Sequence, residues 1–273
     1  MVNSSHLDRL GIHSADWPAW IQVETDLPAP PPIALRPIKI ESEAAPGYLS
    51  IRRSVLRVEG DRREWPEICY DELWRKSMDA AVVLPYFRAP ATNELFIILR
   101  SAQRPPVELR AAPGVITFDE EYRGLWEIPA GLIEESELTL EGSRRAAARE
   151  LAEEAGLFFV DSELERLGHS TFPCPGAIAE RQFFYAVELK FARRLQESDS
   201  GCQQKELVTK NFSASEPSLD GSVLEALGRV IAVPFEAALT AADKGLLPDA
   251  KTELALRRFQ GHRFAVSKES DGC

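Results

Sequence analysis

Three glutamates, Glu150, Glu153 and Glu154, stand at i, i+3 and i+4 in a stretch rich in alanine and arginine. On a helix these positions share one face. Like charges at that spacing repel, and no Lys or Arg is spaced to neutralise all three. A divalent cation resolves the conflict. Hard carboxylate oxygens gathered this way suit Mg²⁺ or Mn²⁺, and such ions suit substrates that carry phosphate. The competing reading is a solvated acidic helix face, the default for a run of charge.

The helix that carries them is expected to start near Ser143, a good N-cap, and to end at Gly156, a good C′ residue. Ala147, Leu151 and Ala155 form its apolar stripe, widened by Ala148. The glutamates border that stripe, so they flank the core rather than face bulk water. Trp126-Glu127-Ile128 reads as a short strand leading to the helix through Gly131. Ala80–Phe87 and Leu95–Leu99 are β-rich runs joined by Ala91-Thr92-Asn93-Glu94, which predicts a hairpin. Gln182–Phe191 and Val230–Val233 read as strands. Phe235–Lys244 and Lys251–Phe259 read as helices separated by Gly245 and Pro248. Strands, one central helix, strands and terminal helices imply an α+β fold, an α/β/α sandwich.

Three segments follow from this pattern. Residues 1–45 form a proline-rich extension, in which Leu27-Pro28-Ala29-Pro30-Pro31-Pro32 cannot be helical. Its Trp17 and Trp20 either dock on the body or a second subunit, or belong to a partly ordered tail. Residues 46–79 form a strand segment, with Tyr48 to Glu59 as a strand or hairpin. Residues 80–265 form the main domain. The polar stretches 110–124 and 196–220 read as long loops.

The net charge of −11 argues against a protein whose main partner is nucleic acid, because counterion release needs a basic surface. A nucleotide substrate held by local arginines and metal remains compatible. Cys69, Cys174, Cys202 and Cys273 form no C-x-x-C pair, which suits free thiols in a reducing compartment. The N-terminus has no basic region followed by an apolar run, and no stretch approaches the ~20 apolar residues of a membrane span. A cytoplasmic protein without a membrane partner is expected.

The segment from Gly131 to Leu157 resembles the Nudix box, G-x5-E-x7-R-E-U-x-E-E-x-G-U, where U is aliphatic. Glu141 followed by seven residues and Arg149-Glu150-Leu151-Ala152-Glu153-Glu154-Ala155-Gly156-Leu157 matches its second part. Nine residues separate Gly131 from Glu141 where the pattern has five, a four-residue insertion before the helix. Taking Glu137 as the first glutamate breaks the spacing to Arg149. Other segments are similar to the ADP-ribose and ADP-sugar pyrophosphatases: Trp126-Glu127-Ile128-Pro129-Ala130-Gly131, Arg100-Ser101-Ala102-Gln103-Arg104-Pro105-Pro106, Phe172-Pro173-Cys174-Pro175-Gly176 followed by Glu180-Arg181, and Asp249-Ala250-Lys251-Thr252-Glu253-Leu254-Ala255-Leu256 as a closing helix.

The resemblance implies a Nudix fold, with a mixed sheet and a catalytic loop-helix-loop. It implies Mg²⁺-dependent hydrolysis of a nucleoside diphosphate linked to another group, foremost ADP-ribose or an ADP-sugar, giving AMP and a sugar phosphate. Glu150, Glu153, Glu154 and the Ala130 carbonyl would be metal ligands, and Arg149 would orient a ligand glutamate. Glu141 would be an outer contact of the metal site. Arg104 is a diphosphate clamp or a surface arginine; Glu127 contacts ribose or base, or is structural. Trp126 or Phe172 stacks on a base or is core, and Glu180 and Arg181 line the pocket. The late loop and the residues after it offer Glu206, Glu216 and Glu225 as general base, with Glu225 preferred.

Two alternatives stand beside this. One is another Nudix substrate: NADH, a dinucleoside polyphosphate, coenzyme A or a nucleoside triphosphate. The other is a silent ADP-ribose-sensing module, which the intact box glutamates disfavour. The resemblance also implies a homodimer joined through the 46–79 strand segment. Light scattering should give twice the chain mass, and a monomer would contradict it.

Overall fold

The computed structural model describes residues 4–29, 47–56, 66–110, 124–191, 210–217, 224 and 228–270. Most of both expected loops, 110–124 and 196–220, therefore lies outside the described residues.

The central hairpin forms as the sequence pattern predicts. Strands β1 (Ile21–Val23), β2 (Ser50–Leu56) and β3 (Ile68–Trp74) precede β4 (Ala80–Arg88) and β5 (Leu95–Ala102). Asn93, in the β4–β5 turn, takes a left-handed backbone with φ 58°, which asparagine tolerates better than most residues. Along β4, Ala81, Val83 and Phe87 enter one core while Val82 and Leu84 enter another. That alternation is the period of a strand buried on both faces.

Further strands follow: β6 (Leu125–Glu127), β7 (Ala130–Leu132), β8 (Leu157–Phe158), β9 (Glu165–Arg166), β10 (Gln182–Glu188), β11 (Ser213–Ala214) and β12 (Val230–Pro234), of which β8 and β11 pair with each other apart from the main sheet. The main sheet runs β1-β12-β5-β4-β10-β9, with β6 on β5 and β7 on β4. It is mixed: β1/β12 and β4/β10 are parallel, and β4/β5 and β5/β12 antiparallel. Helix α1 (Ser4–Leu10) and one helical turn, α2 (Pro105–Glu108), come before α3 (Leu140–Ala155). Helices α4 (Phe235–Asp243) and α5 (Ala250–Ser270) close the chain. Ala146, Ala147, Leu151 and Ala155 of α3 pack on one face of the sheet. Phe235, Leu239, Leu256 and Phe259 of α4 and α5 pack on the other. This is the expected three-layer sandwich.

Helix α3 starts earlier than expected. Thr139 is the N-cap, and its side chain accepts from the Gly142 amide at 2.9 Å. Ser143 lies inside the first turn, buried, with its hydroxyl on the Leu140 carbonyl (2.8 Å) and beside the Tyr185 hydroxyl (2.6 Å). A serine bonded back into its own turn is a helix residue rather than a cap. The C-terminal expectation holds: Gly156 caps the helix at φ 68°. A Cβ there would meet the Ser215 carbonyl at 2.0 Å, so both backbone and space require glycine.

The described part of the N-terminal extension is built into the body. Leu7, Leu10, Ile12, Trp17 and Ile21 belong to the α3-side core. Trp17 packs on Phe87 and Phe191 with ring centroids 5.2 and 5.7 Å away. Trp20 donates its indole N–H to the Ala155 carbonyl at 3.0 Å, which ties the extension to the end of α3. Docking on the body is thus the observed alternative for both tryptophans.

Strands β2 and β3 form a separate antiparallel ribbon. The Tyr70 hydroxyl on the Gly176 carbonyl (2.6 Å) and the Leu73 amide on the Ala177 carbonyl (2.7 Å) attach it to the body. Among the described residues no helix is long and apolar enough to cross a membrane.

Candidate functional site

The sheet opens the site by parting two strands. β4 pairs with β5 only over Tyr86–Arg88; beyond that, β7 takes over on β4 and β6 on β5. Helix α3 crosses this gap. The cavity it roofs has a volume of about 1190 Å³. Glu150, Glu153, Glu154 and Arg149 line it from α3, Arg100 and Arg104 from the end of β5, and Ala130 and Gly131 from β7. Trp20 and Tyr48 add aromatic surface, and Arg75 and Glu180 a further charged pair.

The three box glutamates are gathered in this cavity, close to the backbone of β7. A Cβ on Gly131 would stand 2.1 Å from the Glu150 carboxyl carbon, so only glycine lets that carboxylate lie against the chain. Burial pushes Glu150 up to about 7; Arg149 opposes this, while Glu154 and Glu153 add to it. Burial also raises Glu154, against the pull of Arg100 and of the Ala130 amide, which donates to its Oε2 at 2.9 Å. The Arg100 guanidinium is bonded to the other oxygen, Glu154 Oε1. Among the described residues no group of three or more acidic, His or Cys side chains converges as arranged to hold a metal ion. Arginines hold the carboxylate oxygens instead. As a donor set, the three glutamates fit a hard divalent cation: they are carboxylates crowded on one face, two of them destabilised in their charged form by burial.

Arg149 occupies the position the resemblance implies. Its Nη1 donates to Glu150 Oε1 (2.7 Å) and Glu153 Oε2 (3.1 Å), and its Nη2 to the Leu132 carbonyl (2.8 Å) and Glu137 Oε2 (3.1 Å). Glu137 was passed over in the sequence because its spacing to Arg149 fails. Glu141, favoured there, is exposed. The four extra residues therefore lie between Glu137 and Arg149, and Glu137 itself stands ahead of the helix that starts at Leu140. The overlooked signal was the x5 spacing from Gly131 to Glu137, which fits the first half of the box.

Arg104 and Glu127 are brought together as partners. Arg104 Nε and Nη2 grip Glu127 Oε1 and Oε2 at 2.8 and 2.6 Å, and Lys251 Nζ also bonds Glu127 Oε2. Lys251 reaches Asp249 at 3.0 Å, and Asp249 caps Thr252, whose hydroxyl accepts from the Ile128 amide at 3.0 Å. This network locks the start of α5 to β6. Burial pushes Glu127 up, but the Arg104 hydrogen bond and the Lys251 charge outweigh it and hold the carboxyl at about 2. Arg104 keeps 46% of its side chain exposed on the cavity.

Trp126 has no ring face open to the cavity. It is 1% exposed and donates to the Pro28 carbonyl at 2.6 Å, so its core alternative holds. Phe172 lies 5.8 Å from the Arg181 guanidinium, and Arg181 bonds Ser170; neither residue lines the cavity. Glu180 does line it, paired with Arg75 Nη2 at 2.5 Å. Arg75, which also donates to the Tyr48 hydroxyl (3.0 Å), carries no sequence signal beyond its charge. Glu225 and Glu206 lie outside the described residues, whereas Glu216 stands on the cavity wall.

Residues 98–210 match the model of the NUDIX domain. Over these residues the chain has a NUDIX domain. The match encloses Arg100, Arg104, Glu127, all of α3 and Glu180, so the pieces of the cavity wall fall largely within it. No curated protein matches the sequence. Among solved structures, an ADP compounds hydrolase is 14% identical, with 87% of this chain and 96% of that one covered and a TM-score of 0.49. The NUDIX domain of Shewanella oneidensis NrtR, complexed with ADP ribose, is 16% identical over 69% of this chain and 90% of that one, TM-score 0.35. A C. elegans Ap4A hydrolase is 14% identical over 69% and 98%, TM-score 0.33. At these identities and TM-scores, the likenesses carry nothing about substrate.

Glu137→Gln should cost ~1–3 kcal/mol, because it takes a charged partner from a half-buried arginine. Glu141→Gln should stay within about 0.5 kcal/mol of the parent, as exposed substitutions do. Urea denaturation of both variants checks this, and equal effects would contradict the pairing. The Glu127 network makes a pH prediction. The folded carboxyl sits at about 2 against 4.5 without its surroundings. Its contribution is thus complete above pH 4.5 and is lost as pH falls through 2. The stability gap between parent and Glu127→Gln should be constant near neutrality and shrink over that acidic window. A gap that stays level down to pH 2 would show that Glu127 is not held this way.

Proposed function

We propose that this Nudix domain hydrolyses a nucleoside diphosphate linked to a second group, foremost ADP-ribose or an ADP-sugar. The observation that carries the reading is the joining of the Glu150–Glu153–Glu154 face and the arginines of β5 in one cavity large enough for a dinucleotide-sized ligand. Glu150, Glu153 and Glu154 would hold Mg²⁺ or Mn²⁺ together with the Ala130 carbonyl. Such an ion, when bound, neutralises diphosphate oxygens and makes a bound water more nucleophilic.

The chain's own groups supply the rest. Arg149 fixes the orientation of Glu150 and Glu153. Arg104, anchored by Glu127, presents its exposed edge to diphosphate oxygens. A late-loop glutamate takes the proton of the attacking water: Glu225 is the choice from sequence, and Glu216 shares the cavity. The water oxygen bonds to one phosphorus, the anhydride P–O bond breaks, and the second phosphate leaves with that oxygen. From ADP-ribose the products are AMP and ribose 5-phosphate. A cytoplasmic homodimer belongs to the same proposal. Support for the dimer is the β2–β3 ribbon, which exposes Ile51 and Val55 on one face and Leu56 and Ile68 on the other.

The test is a Mg²⁺-dependent substrate panel with product identification, covering ADP-ribose, ADP-glucose, NADH, dinucleoside polyphosphates, coenzyme A and nucleoside triphosphates. AMP and sugar phosphate should dominate, and chelation with EDTA should abolish turnover. Glu154→Gln should lower turnover on the order of 100-fold or more while helical circular dichroism is kept. Parent-like turnover in that variant would remove the metal assignment, and preference for another panel member would replace the substrate.

A further inference from the structure

Arg100 opens one of the motif segments with no role attached to it, yet it holds Glu154, a largely enclosed box glutamate. It lies on β5 with only 5% of its surface exposed, in register opposite Glu127. Its Nη1 is bonded to Glu154 Oε1, while the Ala130 amide takes Oε2. Both carboxylate oxygens are thus already engaged by the protein. The neighbouring chain is fitted closely around this arginine: a Cβ on Gly228 would approach the Arg100 Nε to 3.1 Å and the Ser101 carbonyl to 2.7 Å. The guanidinium therefore has little room to withdraw into the sheet, whereas the cavity it lines lies open beside it.

A cation that takes Glu154 must compete with this contact. It places two further positive charges beside a buried guanidinium that has just lost an anionic partner, an arrangement of high electrostatic cost. A diphosphate entering the cavity removes the cost, because its oxygens accept from a guanidinium in place of the carboxylate.

We propose that Arg100 is a displaceable counter-ion for Glu154, which makes divalent-cation binding depend on the arrival of a diphosphate ligand. This deepens the functional reading and rests on Glu154 being a metal ligand. Without diphosphate, Arg100 keeps Glu154 positioned and neutralised. With diphosphate present, Arg100 turns to the ligand and releases Glu154. Linkage then makes each of cation and diphosphate tighten the other. Arg100 is a positioning residue for Glu154 and a contact for the ligand's anionic centre.

Calorimetric titration of the full chain with Mn²⁺, with and without α,β-methylene-ADP as an uncleavable diphosphate, tests the coupling directly. Arg100→Met should bind Mn²⁺ alone about tenfold more tightly than the parent. The analogue should enhance Mn²⁺ binding less in the variant than in the parent. Arg100→Lys, which keeps the charge, should retain the parent's weak binding of Mn²⁺ alone; a merely structural role would not separate the two variants this way. If Arg100→Met fails to fold, Arg100→Gln, neutral but able to donate to Glu154, carries the same comparison. Mn²⁺ affinities within twofold of the parent in the neutral variant, or weaker, would overturn the counter-ion role and leave the metal site standing. No Mn²⁺ binding by the parent in either condition would overturn both the metal site and this inference.

Discussion

Carboxylates that are packed against a protein backbone need positive charge, and the site is organised around that need. Glu150 and Glu154 border the core of a helix that must also bury Leu151 and Ala155. Their burial makes the charged form expensive, and the charge of Glu154 adds to the difficulty at Glu150. Arg149 and Arg100 meet part of the demand from opposite sides of the helix face. On the proposed reading a divalent cation would meet it more fully, since one ion could serve all three carboxylates. On that reading compensation comes in two stages, one built from arginine and one supplied from solution.

The fold's contribution is placement. If β4 and β5 stayed paired along their length, the sheet would be closed where the cavity now opens. Instead β6 and β7 enter between them, and Pro129 links the two with its carbonyl accepting from the Val83 amide at 3.0 Å. That insertion brings Gly131 under Glu150 and sets the Ala130 amide on Glu154. The N-terminal segment completes the arrangement from the far side: Trp20 holds the last turn of α3 by the Ala155 carbonyl. On α5, Lys251 anchors β6 through Glu127. Helix, strand gap and both chain ends thus fix the same few side chains.

Much of this was legible in the sequence because it depends on local pattern. The alternation of β4 and β5, the apolar stripe of α3 and its Gly156 terminus are all short-range signals, and the i, i+3, i+4 glutamates state their chemistry directly. The helix start was misplaced because Ser143 and Thr139 are both capable N-caps, and which one is used depends on a buried contact of Ser143 with distant Tyr185. Glu137 does not fit the linear spacing because it stands before α3, and only the fold of the preceding turn brings it to Arg149. The pairing of Arg104 with Glu127, the place of Arg75, and the role of Trp20 bring together residues far apart in sequence. No local pattern encodes them.

The central claim is that the carboxylate face of α3 is a metal site. Anomalous diffraction from crystals soaked in Mn²⁺ with a diphosphate analogue tests it most directly. The account predicts manganese within about 2.0–2.5 Å of carboxylate oxygens of Glu150, Glu153 and Glu154. Manganese bound elsewhere, with Arg100 and Arg149 still holding those oxygens, would contradict it.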